Sequence, residues 1–472
     1  MDLRCRSRLA HIAGSWLSIL ALLIGAGMII SAPPARAATR FCAVPEGDAA
    51  PQSAAPAEVA IDRQAMDEAI AFASSRMRIN IQIFRNNCLV GTGPFNATTG
   101  NIAWHLWSST KAVTALVAGI AVTQGLLRLD APIGEYLPEG EGDAAHRAIT
   151  VRDLLTQSSG LRQSLAAEAL TALVPDLNTA QQALALPVEH APGTHFAYSQ
   201  RGPDLLAYIV QRAIGRDLQE FAQQYLFDPL GIDVDDYYWK RDRAGNTYGF
   251  AYLFLPPNDF SRIGLLLLNN GEWNGKRLID TAYIDQLRRP SKSNACYGFL
   301  VWLNQTPCTG VTLPSQQTVE VAAFDPMPPD TYATVGFLHQ TNFVVPSLNL
   351  LITWNGVLGD VSPDPSTLLS VNSNSELYRE FLRLLARAIT DVDLPDPGPY
   401  SPSMNLDLDP PGVFDPNVLL ASFGVGPYAP AGCTVVSCGG TPLAPPFSSP
   451  EPACLSGVLC LPVPGAPQRE GK

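Results

Sequence analysis

The sequence predicts a mixed domain of α-helices and β-strands, with strands near both ends and helices between them. Apolar residues alternate over residues 79–84, as they do in a half-buried strand. Helical periodicity dominates residues 151–230, and strand patterns return over residues 331–354. This order favours an α+β (mixed α/β) fold in which helices flank an antiparallel sheet and also form an inserted helical subdomain.

The individual elements follow from local patterns. Residues 62–76 carry apolar side chains at helical spacing, and Asn86 and Asn87 mark a hairpin turn after the first strand. The segment 111–127 is apolar nearly all round, which is typical of a buried helix. Further helices are expected at 205–214, 218–225, 261–268 and 377–389, and strands at 88–90, 297–303, 331–338, 342–345 and 348–354.

The composition and the missing motifs exclude several classes of function. The formal net charge is -12 and the pI is near 5.0. Nucleic acid and anionic membranes are therefore not expected as partners, because both bind basic patches. The six histidines lack metal-ligand spacing, and the sequence has neither a phosphate-binding P-loop nor a G-x-S-x-G nucleophile elbow. We expect no metal and no cofactor, and a small molecule as the substrate.

The N-terminus is typical of an export signal. Arg4, Arg6 and Arg8 precede an apolar stretch over residues 12–30, and an A-R-A cleavage site follows at 35–37. We expect residues 1–37 to be a signal peptide and the mature protein to be periplasmic or extracellular. The alternative is an uncleaved membrane anchor, since the stretch approaches the ~20 residues that span a bilayer.

The rest of the chain divides into three regions. Residues 38–57 form an Ala/Pro-rich leader, residues 58–392 the main domain, and residues 393–472 a proline- and glycine-rich tail that we expect to be poorly ordered. Eight cysteines follow the signal, which suits an oxidising compartment. Their order suggests the local pairs 42–88, 296–308, 433–438 and 454–460, with isolated buried thiols as the alternative for the first two pairs.

Ser108 and Lys111 form an S-x-x-K sequence at the start of the apolar helix. Residues three apart share a helix face, so the hydroxyl and the amine can meet. A buried lysine loses stabilisation of its charge, and its pKa falls towards values useful for a base. The alternative is a capping serine beside a surface lysine. Trp104 and Trp107 on one side and the apolar helix on the other favour the buried site.

Beyond this tetrapeptide, residues 62–389 resemble the penicillin-recognising serine hydrolases. This family includes class C β-lactamases, D-alanyl-D-alanine peptidases, family VIII esterases and 6-aminohexanoate-dimer hydrolases. The resemblance implies a β-lactamase/D-peptidase-like fold with the active site between the sheet and the helical subdomain. The matching segments, in the family's order, are WSSTK (107–111), GLLRLDAP (125–132), ITVRDLLTQSSGL (149–161), PGTHFAYS (192–199) and VVPSLNL (344–350).

The resemblance also implies roles for residues of the family's second motif, Y-x-N. Here that motif is Tyr198-Ser199-Gln200. Tyr198 inherits the phenol that relays protons between nucleophile and leaving group. Gln200 stands where the family has asparagine and is expected to contact substrate through its amide. Whether Lys111 or Tyr198 is the proximal base stays open.

The family's third motif, K-T-G or a relative, corresponds to the strand near residue 336. The lysine is missing there, and the resemblance implies that the backbone N–H of Phe337 forms an oxyanion hole with that of Ser108. His339 and Gln340 follow and are expected to contact substrate, with His339 as a catalytic base the weaker alternative. Tyr252 is expected to narrow the acyl side of the pocket.

Together these residues predict a secreted serine hydrolase that acts on small esters or linear amides through an acyl-enzyme. One alternative is a β-lactamase or D-alanyl-D-alanine carboxypeptidase, against which the missing K-T-G lysine argues. The other is a non-catalytic binding protein on the same fold, against which the Ser108, Lys111 and Tyr198 set argues.

Overall fold

The computed structural model describes residues 39–170, 174–309, 318–358, 375–401, 412 and 414–445. All contacts given below lie within the unit that begins at Arg40. Within these described residues, no helix is long and apolar enough to cross a membrane. The expected signal peptide and the Cys454–Cys460 pair lie outside the described residues.

The order of helices and strands along the chain is close to the predicted one, with a run of helices from α3 to α10 between the strands near the two ends. The helices are α1 (Arg63–Ser75), α2 (Asn96–Thr99), α3 (Thr110–Thr123), α4 (Ala144–Ala148), α5 (Val151–Leu155), α6 (Leu165–Leu170), α7 (Thr179–Ala185), α8 (Arg201–Ile214), α9 (Leu218–Ala222), α10 (Asp228–Leu230), α11 (Pro257–Leu268), α12 (Thr281–Leu287), α13 (Glu376–Ala388) and α14 (Pro416–Ala421). The strands are β1 (Arg78–Arg85), β2 (Cys88–Thr92), β3 (Trp104–His105), β4 (Tyr238–Trp239), β5 (Leu253–Leu255), β6 (Glu272–Trp273), β7 (Lys276–Arg277), β8 (Trp302–Leu303), β9 (Cys308–Thr309), β10 (Thr318–Val319), β11 (Tyr332–Gly336), β12 (Gln340–Val345), β13 (Leu350–Gly356), β14 (Ser437–Cys438) and β15 (Thr441–Pro442).

The main sheet of the described part is antiparallel, with the strand order β2-β1-β13-β12-β11-β8. The N-terminal hairpin therefore pairs with C-terminal strands, and Ile83 lies opposite Ile352. Side chains of β13 alternate between two helical layers. Leu351 lies close to Gly264 of α11, and the ring of Trp354 packs on Phe381 of α13. The predicted antiparallel sheet flanked by helices is confirmed.

The central helices form the inserted subdomain, and α8 packs directly on α3. Helix α3 is buried over residues 110–121, because its side chains are apolar nearly all round. It therefore lies between the sheet and the insertion. Ser108, just before α3, is placed where the two halves of the domain meet.

One predicted strand is much shorter than expected. The sequence pattern favoured a strand over residues 297–303, but only Trp302 and Leu303 pair with β11. Leu300 has a left-handed backbone with a φ of 57°, so the chain turns back and Tyr297 bridges Trp302. An apolar run does not reveal such a turn, because every one of its side chains is buried in either conformation.

The Ala/Pro-rich leader crosses the domain as an ordered segment, which we call the N-terminal strap (residues 40–57). Cys42 is bonded to Cys88 at the start of β2. The Arg262 guanidinium of α11 donates hydrogen bonds to the carbonyls of Gly47 and Ala49 at 2.7 and 2.8 Å. Both anchors tie the strap to elements of the core.

Part of the proline-rich C-terminal region is also folded onto the domain. Arg162 Nε lies 2.5 Å from Asp415 Oδ2, and Arg243 donates to the carbonyls of Val435 and Ala444 at 2.7 and 2.6 Å. Helix α14 packs on α6. The expectation of a poorly ordered tail is thus corrected for residues 414–445. Composition favoured disorder there, but two arginines of the domain hold the segment through its carboxylate and backbone oxygens.

Three of the expected cysteine pairs are disulfides: 42–88, 296–308 and 433–438. They agree with an oxidising compartment. The first closes a loop with a sequence separation of 46 and the third a loop with a separation of 5.

Removing the strap disulfide should therefore cost more stability than removing the short one. Loop-closure entropy gives about 4 kcal/mol for the 42–88 pair and about 2 kcal/mol for the 433–438 pair. We expect the double variant Cys42→Ala/Cys88→Ala to unfold at clearly lower urea concentration than Cys433→Ala/Cys438→Ala, as followed by tryptophan fluorescence. An equal or smaller loss in the first variant would contradict the anchoring of the strap by this bond.

Candidate active site

Ser108 lies in a short 3₁₀ turn, Trp107–Ser109, that leads into α3. Trp107 has a left-handed backbone with a φ of 48°, which sets the direction of the turn. The neighbouring hydroxyl of Ser109 donates to the carbonyl oxygen of Gln340 at 2.7 Å. The turn is therefore fixed to β12, and Ser108 is held at the edge of the main sheet.

Lys111 points back at Ser108 from the first turn of α3. Its Nζ lies 3.0 Å from Ser108 Oγ and 3.5 Å from the carbonyl oxygen of Phe250. The side chain is 1% exposed, and Nζ lies 4.6 Å from the centre of the Tyr198 ring. Burial lowers the pKa of Lys111 to about 7, against an opposing effect of Asp204 and Glu168. A neutral amine is thus accessible near physiological pH.

Tyr198 reaches the same hydroxyl from the segment between α7 and α8. Its ring is buried and stacks on Trp302 of β8 at 5.8 Å. Burial raises the pKa of the phenol, and a hydrogen bond with Ser108 opposes this rise. The phenol therefore stays protonated at neutral pH while it contacts Ser108. The structure brings Ser108, Lys111 and Tyr198 together: Ser108 comes from the turn before α3, Lys111 from α3 and Tyr198 from the segment before α8.

Gln157 fixes the Tyr198 segment and was not singled out by the sequence analysis. Its side-chain oxygen accepts hydrogen bonds from the backbone N–H and the hydroxyl of Ser199 at 3.1 and 3.0 Å. Its amide nitrogen donates to the Ser199 carbonyl at 3.1 Å. The residue lies within the ITVRDLLTQSSGL segment, whose match in the family was the only sequence signal for it.

Gly336 brings the end of β11 against the Ser108 turn. A Cβ atom at this position would lie 2.1 Å from the carbonyl oxygen of Leu106 and 3.2 Å from the backbone nitrogen of Ser109. Only glycine permits this approach. The next residue is Phe337, whose backbone N–H is the second expected donor of the oxyanion hole. Its ring packs edge-on against Trp107 at 5.3 Å.

Aromatic rings surround the Lys111 amine and the Ser108 turn. The Phe250 ring centre is 5.2 Å from Lys111 Nζ. Tyr252 was expected to contact substrate, but it is 4% exposed and stacks on His105, whose Nε2 accepts its backbone N–H at 3.0 Å. This placement makes Tyr252 a packing residue. A left-handed φ of 66° turns its side chain into the aromatic cluster, which the sequence pattern did not indicate.

The expectation that His339 contacts substrate is corrected by its position. Its ring is buried and packs edge-on against Tyr378 of α13 at 4.7 Å. Burial, together with the nearby positive charge of Arg78, lowers the pKa of His339 to about 3. Leu338 and His339 both have left-handed backbones, with φ of 57° and 58°. With its ring buried against Tyr378, His339 is placed as a packing residue, which argues against the role of catalytic base.

Gln340 is likewise a structural residue. Its side-chain nitrogen donates to the carbonyl of Gly356 at 2.7 Å, and its side-chain oxygen accepts from the backbone N–H of the same residue at 3.1 Å. The expected substrate contact is corrected, because this amide braces β12 against the end of β13. Gln200 remains beside Tyr198, is 7% exposed, and its side-chain oxygen has no partner among the described residues.

Comparison with known proteins identifies the family of the chain. The family model named Beta-lactamase matches residues 85–336, more than half of the 472 residues. The chain belongs to the Beta-lactamase family. The resemblance to penicillin-recognising serine hydrolases and the β-lactamase/D-peptidase-like fold that it implied are thereby confirmed.

Among the relatives of this Beta-lactamase family chain are two esterases. It is 31% identical over 157 residues to the lovastatin esterase of Penicillium rubens, covering 28% of this chain and 39% of the relative. It is 31% identical over 145 residues to Esterase EstB of Burkholderia gladioli, covering 27% and 37%. The structure of a family VIII carboxylesterase matches with a TM-score of 0.51 and 15% identity, over 69% of this chain and 97% of the other. At this level of identity, the match to the carboxylesterase structure shows a shared fold only.

Substituting Gly336→Ala should disturb the site more than the fold. The added Cβ pushes β11 away from the Leu106 carbonyl, and misplacement of reacting groups by about 1 Å costs roughly 10- to 100-fold in rate. We expect labelling of the protein by a fluorophosphonate to slow by this factor. Gly125→Ala is the matched control. It also introduces an alanine, at a φ of 71°, but its added Cβ would have no atom within 4 Å. It should lower the melting temperature without slowing labelling, and equal labelling of both variants would contradict the proposed packing.

Proposed function

We propose that this protein is a serine hydrolase that cleaves small esters or linear amides through an acyl-enzyme on Ser108. The observation that carries the proposal is the contact of Ser108 Oγ with a buried lysine amine at 3.0 Å. A protonated phenol, that of Tyr198, contacts the same hydroxyl. A nucleophile, a base and a proton relay are therefore in mutual reach.

The reaction follows from the states of these groups. The neutral Lys111 amine accepts the Ser108 proton as Oγ attacks the substrate carbonyl. The Tyr198 phenol then passes a proton to the leaving alcohol or amine, whose bond to the carbonyl carbon breaks, and the Lys111 ammonium replaces this proton on Tyr198. Water attacks the acyl-enzyme, one of its protons returns to Ser108 through the same groups, and the acid leaves. No electron transfer and no further reactant besides water is required.

The oxyanion of each tetrahedral intermediate needs hydrogen-bond donors. We assign this role to the backbone N–H groups of Ser108 and Phe337. The close approach of Gly336, the residue before Phe337, to the backbone of Leu106 and Ser109 supports this assignment. Removing one such donor in other hydrolases costs about 3 kcal/mol. Gln200 is assigned to substrate contact through its side-chain amide, whose oxygen has no partner among the described residues.

The substrate class follows from the charges near Ser108. Residues 332–340 contain neither lysine nor arginine. Arg201, which follows Gln200, is held by Asp176 and Asp204 at 2.6 and 3.2 Å. A carboxylate beside the scissile bond, as in β-lactams and D-peptide ends, would find no cation on this strand. The esterases among the relatives support neutral esters.

Three substitutions test the catalytic assignment. Ser108→Ala should abolish fluorophosphonate labelling and ester hydrolysis, since no nucleophile remains. Lys111→Met and Tyr198→Phe should each lower the rate of labelling about 10²- to 10⁴-fold, which is the usual contribution of acid–base catalysis. Mass spectrometry of the labelled peptide identifies the labelled residue. The rate is obtained from the fraction of protein labelled at successive times.

Ser75→Ala, a serine of α1 outside the site, is the control and should label at the wild-type rate. Labelling on Ser109 or Ser158 in the wild-type protein would contradict the choice of nucleophile. Full folding with mild effects of both Lys111→Met and Tyr198→Phe would favour a binding protein on this fold.

A substrate panel tests the proposed specificity. A charge-assisted hydrogen bond to a carboxylate contributes roughly 1.5–3 kcal/mol, so its absence costs about 10- to 100-fold in recognition. We expect kcat/KM for p-nitrophenyl acetate or butyrate to exceed that for nitrocefin by at least this factor, measured spectrophotometrically. A higher kcat/KM for nitrocefin would favour the alternative function as a β-lactamase or D-peptidase.

A further inference from the structure

A buried carboxylate lies directly behind the Tyr198 segment. Glu168 of α6 is 0% exposed, and its Oε2 accepts the backbone N–H of Gln200 at 2.7 Å. This hydrogen bond fixes the chain two residues after Tyr198. Helix α6 is itself braced, because the hydroxyl of Ser164 accepts the backbone N–H of Asp415 at 2.7 Å.

A second buried carboxylate, Asp204 of α8, is joined to the Lys111 side through one short piece of backbone. Asp204 Oδ1 accepts the N–H of Gly249 at 2.8 Å. The carbonyl of Gly249 accepts the hydroxyl of Thr114 on α3 at 2.8 Å, and the next carbonyl, that of Phe250, accepts from Lys111 Nζ. Asp204 is 1% exposed, so its charge acts through protein rather than water.

The ionisable groups around Lys111 form one buried cluster. Lys111 faces Tyr198, Asp204 and Glu168. The two carboxylates face Arg201, which also binds Asp176, and Asp176 accepts the Tyr248 hydroxyl at 3.0 Å. With all carboxylates ionised and Lys111 protonated, the cluster has two positive and three negative charges. Burial raises the pKa of Asp204 to about 7 and also raises that of Glu168, so this charge state is reached as the pH rises through the same range in which Lys111 titrates. The surplus negative charge stabilises the ammonium form of Lys111.

We infer that Glu168 and Asp204 are positioning residues for the proposed reaction. Glu168 orients the backbone of Gln200, and Asp204 orients the short backbone segment that carries the Phe250 carbonyl. Their negative charge lets Lys111 accept and return a proton near neutral pH. The inference rests on the proposed function and concerns the same site. Burial alone drives a lysine pKa down by several units. A base whose pKa lies near the working pH accepts and returns a proton most effectively.

The test is the pH dependence of the reaction of Ser108. The rate requires neutral Lys111, so in the wild-type protein it should rise with pH through about 7, the pKa of Lys111. Glu168→Gln keeps a hydrogen-bond acceptor for Gln200 but removes a negative charge. It lowers the lysine pKa, and we expect the acidic limb of the rate of fluorophosphonate labelling to move to lower pH by roughly 0.5–1 unit. Asp204→Asn should move it in the same direction.

Asp259→Asn is the matched control. Asp259 is also largely buried, burial raises its pKa to about 7, and its charged neighbours are Arg262 and Asp236. This variant should leave the acidic limb of the labelling profile where it is. Glu168→Ala, which removes both charge and acceptor, should shift the limb and also lower the plateau rate, whereas Glu168→Gln should keep most of the plateau.

The outcomes separate the two proposals. If Glu168→Gln and Asp204→Asn both fold and the acidic limb of their labelling profile does not move, the inference is wrong and the proposed hydrolase function still stands. A shift in Asp259→Asn of equal size overturns it as well. If Glu168→Gln fails to fold, Asp204→Asn decides alone. A wild-type protein in which Ser108 does not react overturns the proposed function, and the inference with it.

Discussion

The burial of a single amine beside a serine hydroxyl is the constraint on which the rest of this structure depends. Lys111 has almost no contact with solvent, and a charged amine in such a place is costly. The apolar helix α3 must therefore run through the middle of the domain, between the sheet and the helical insertion. Carbonyl, aromatic and carboxylate groups come from both sides to compensate the amine. Ser108, at the helix start, is partly exposed, whereas the helix that follows it is buried.

The site belongs to neither half of the domain alone. The sheet supplies the Gly336 approach and anchors the nucleophile turn through Ser109. The insertion supplies Tyr198, clamped by Gln157 on one side and by Glu168 on the other. The C-terminal segment adds a third layer, since α14 packs on the helix that carries Glu168. Geometry at Ser108 is thus set by contacts between segments that are far apart in sequence.

Local sequence patterns were sufficient to predict the features that depend on residues close together in the chain. The contact of Ser108 with Lys111 follows from a spacing of three on a helix, and the order of strands and helices follows from hydrophobic periodicity. The positions of His339 and Tyr252 do not, because each depends on left-handed backbone angles that non-glycine residues seldom adopt. Glu168 and Asp204 are ordinary acidic residues in sequence. Only tertiary packing buries them, and residues 414–445 are ordered by arginines more than 150 positions earlier in the chain.

The N-terminal strap has a consequence for how the protein is produced and handled. Its first turn is fastened by a covalent bond to β2, and the next part rests on carbonyl contacts with a single guanidinium of α11. In a reducing cytoplasm the covalent anchor does not form, and the strap keeps only its non-covalent contacts, among them those with Arg262 and the backbone hydrogen bonds with Asn86 and Leu89. Expression in an oxidising compartment therefore preserves both anchors of the strap, the covalent one at β2 and the carbonyl contacts at α11.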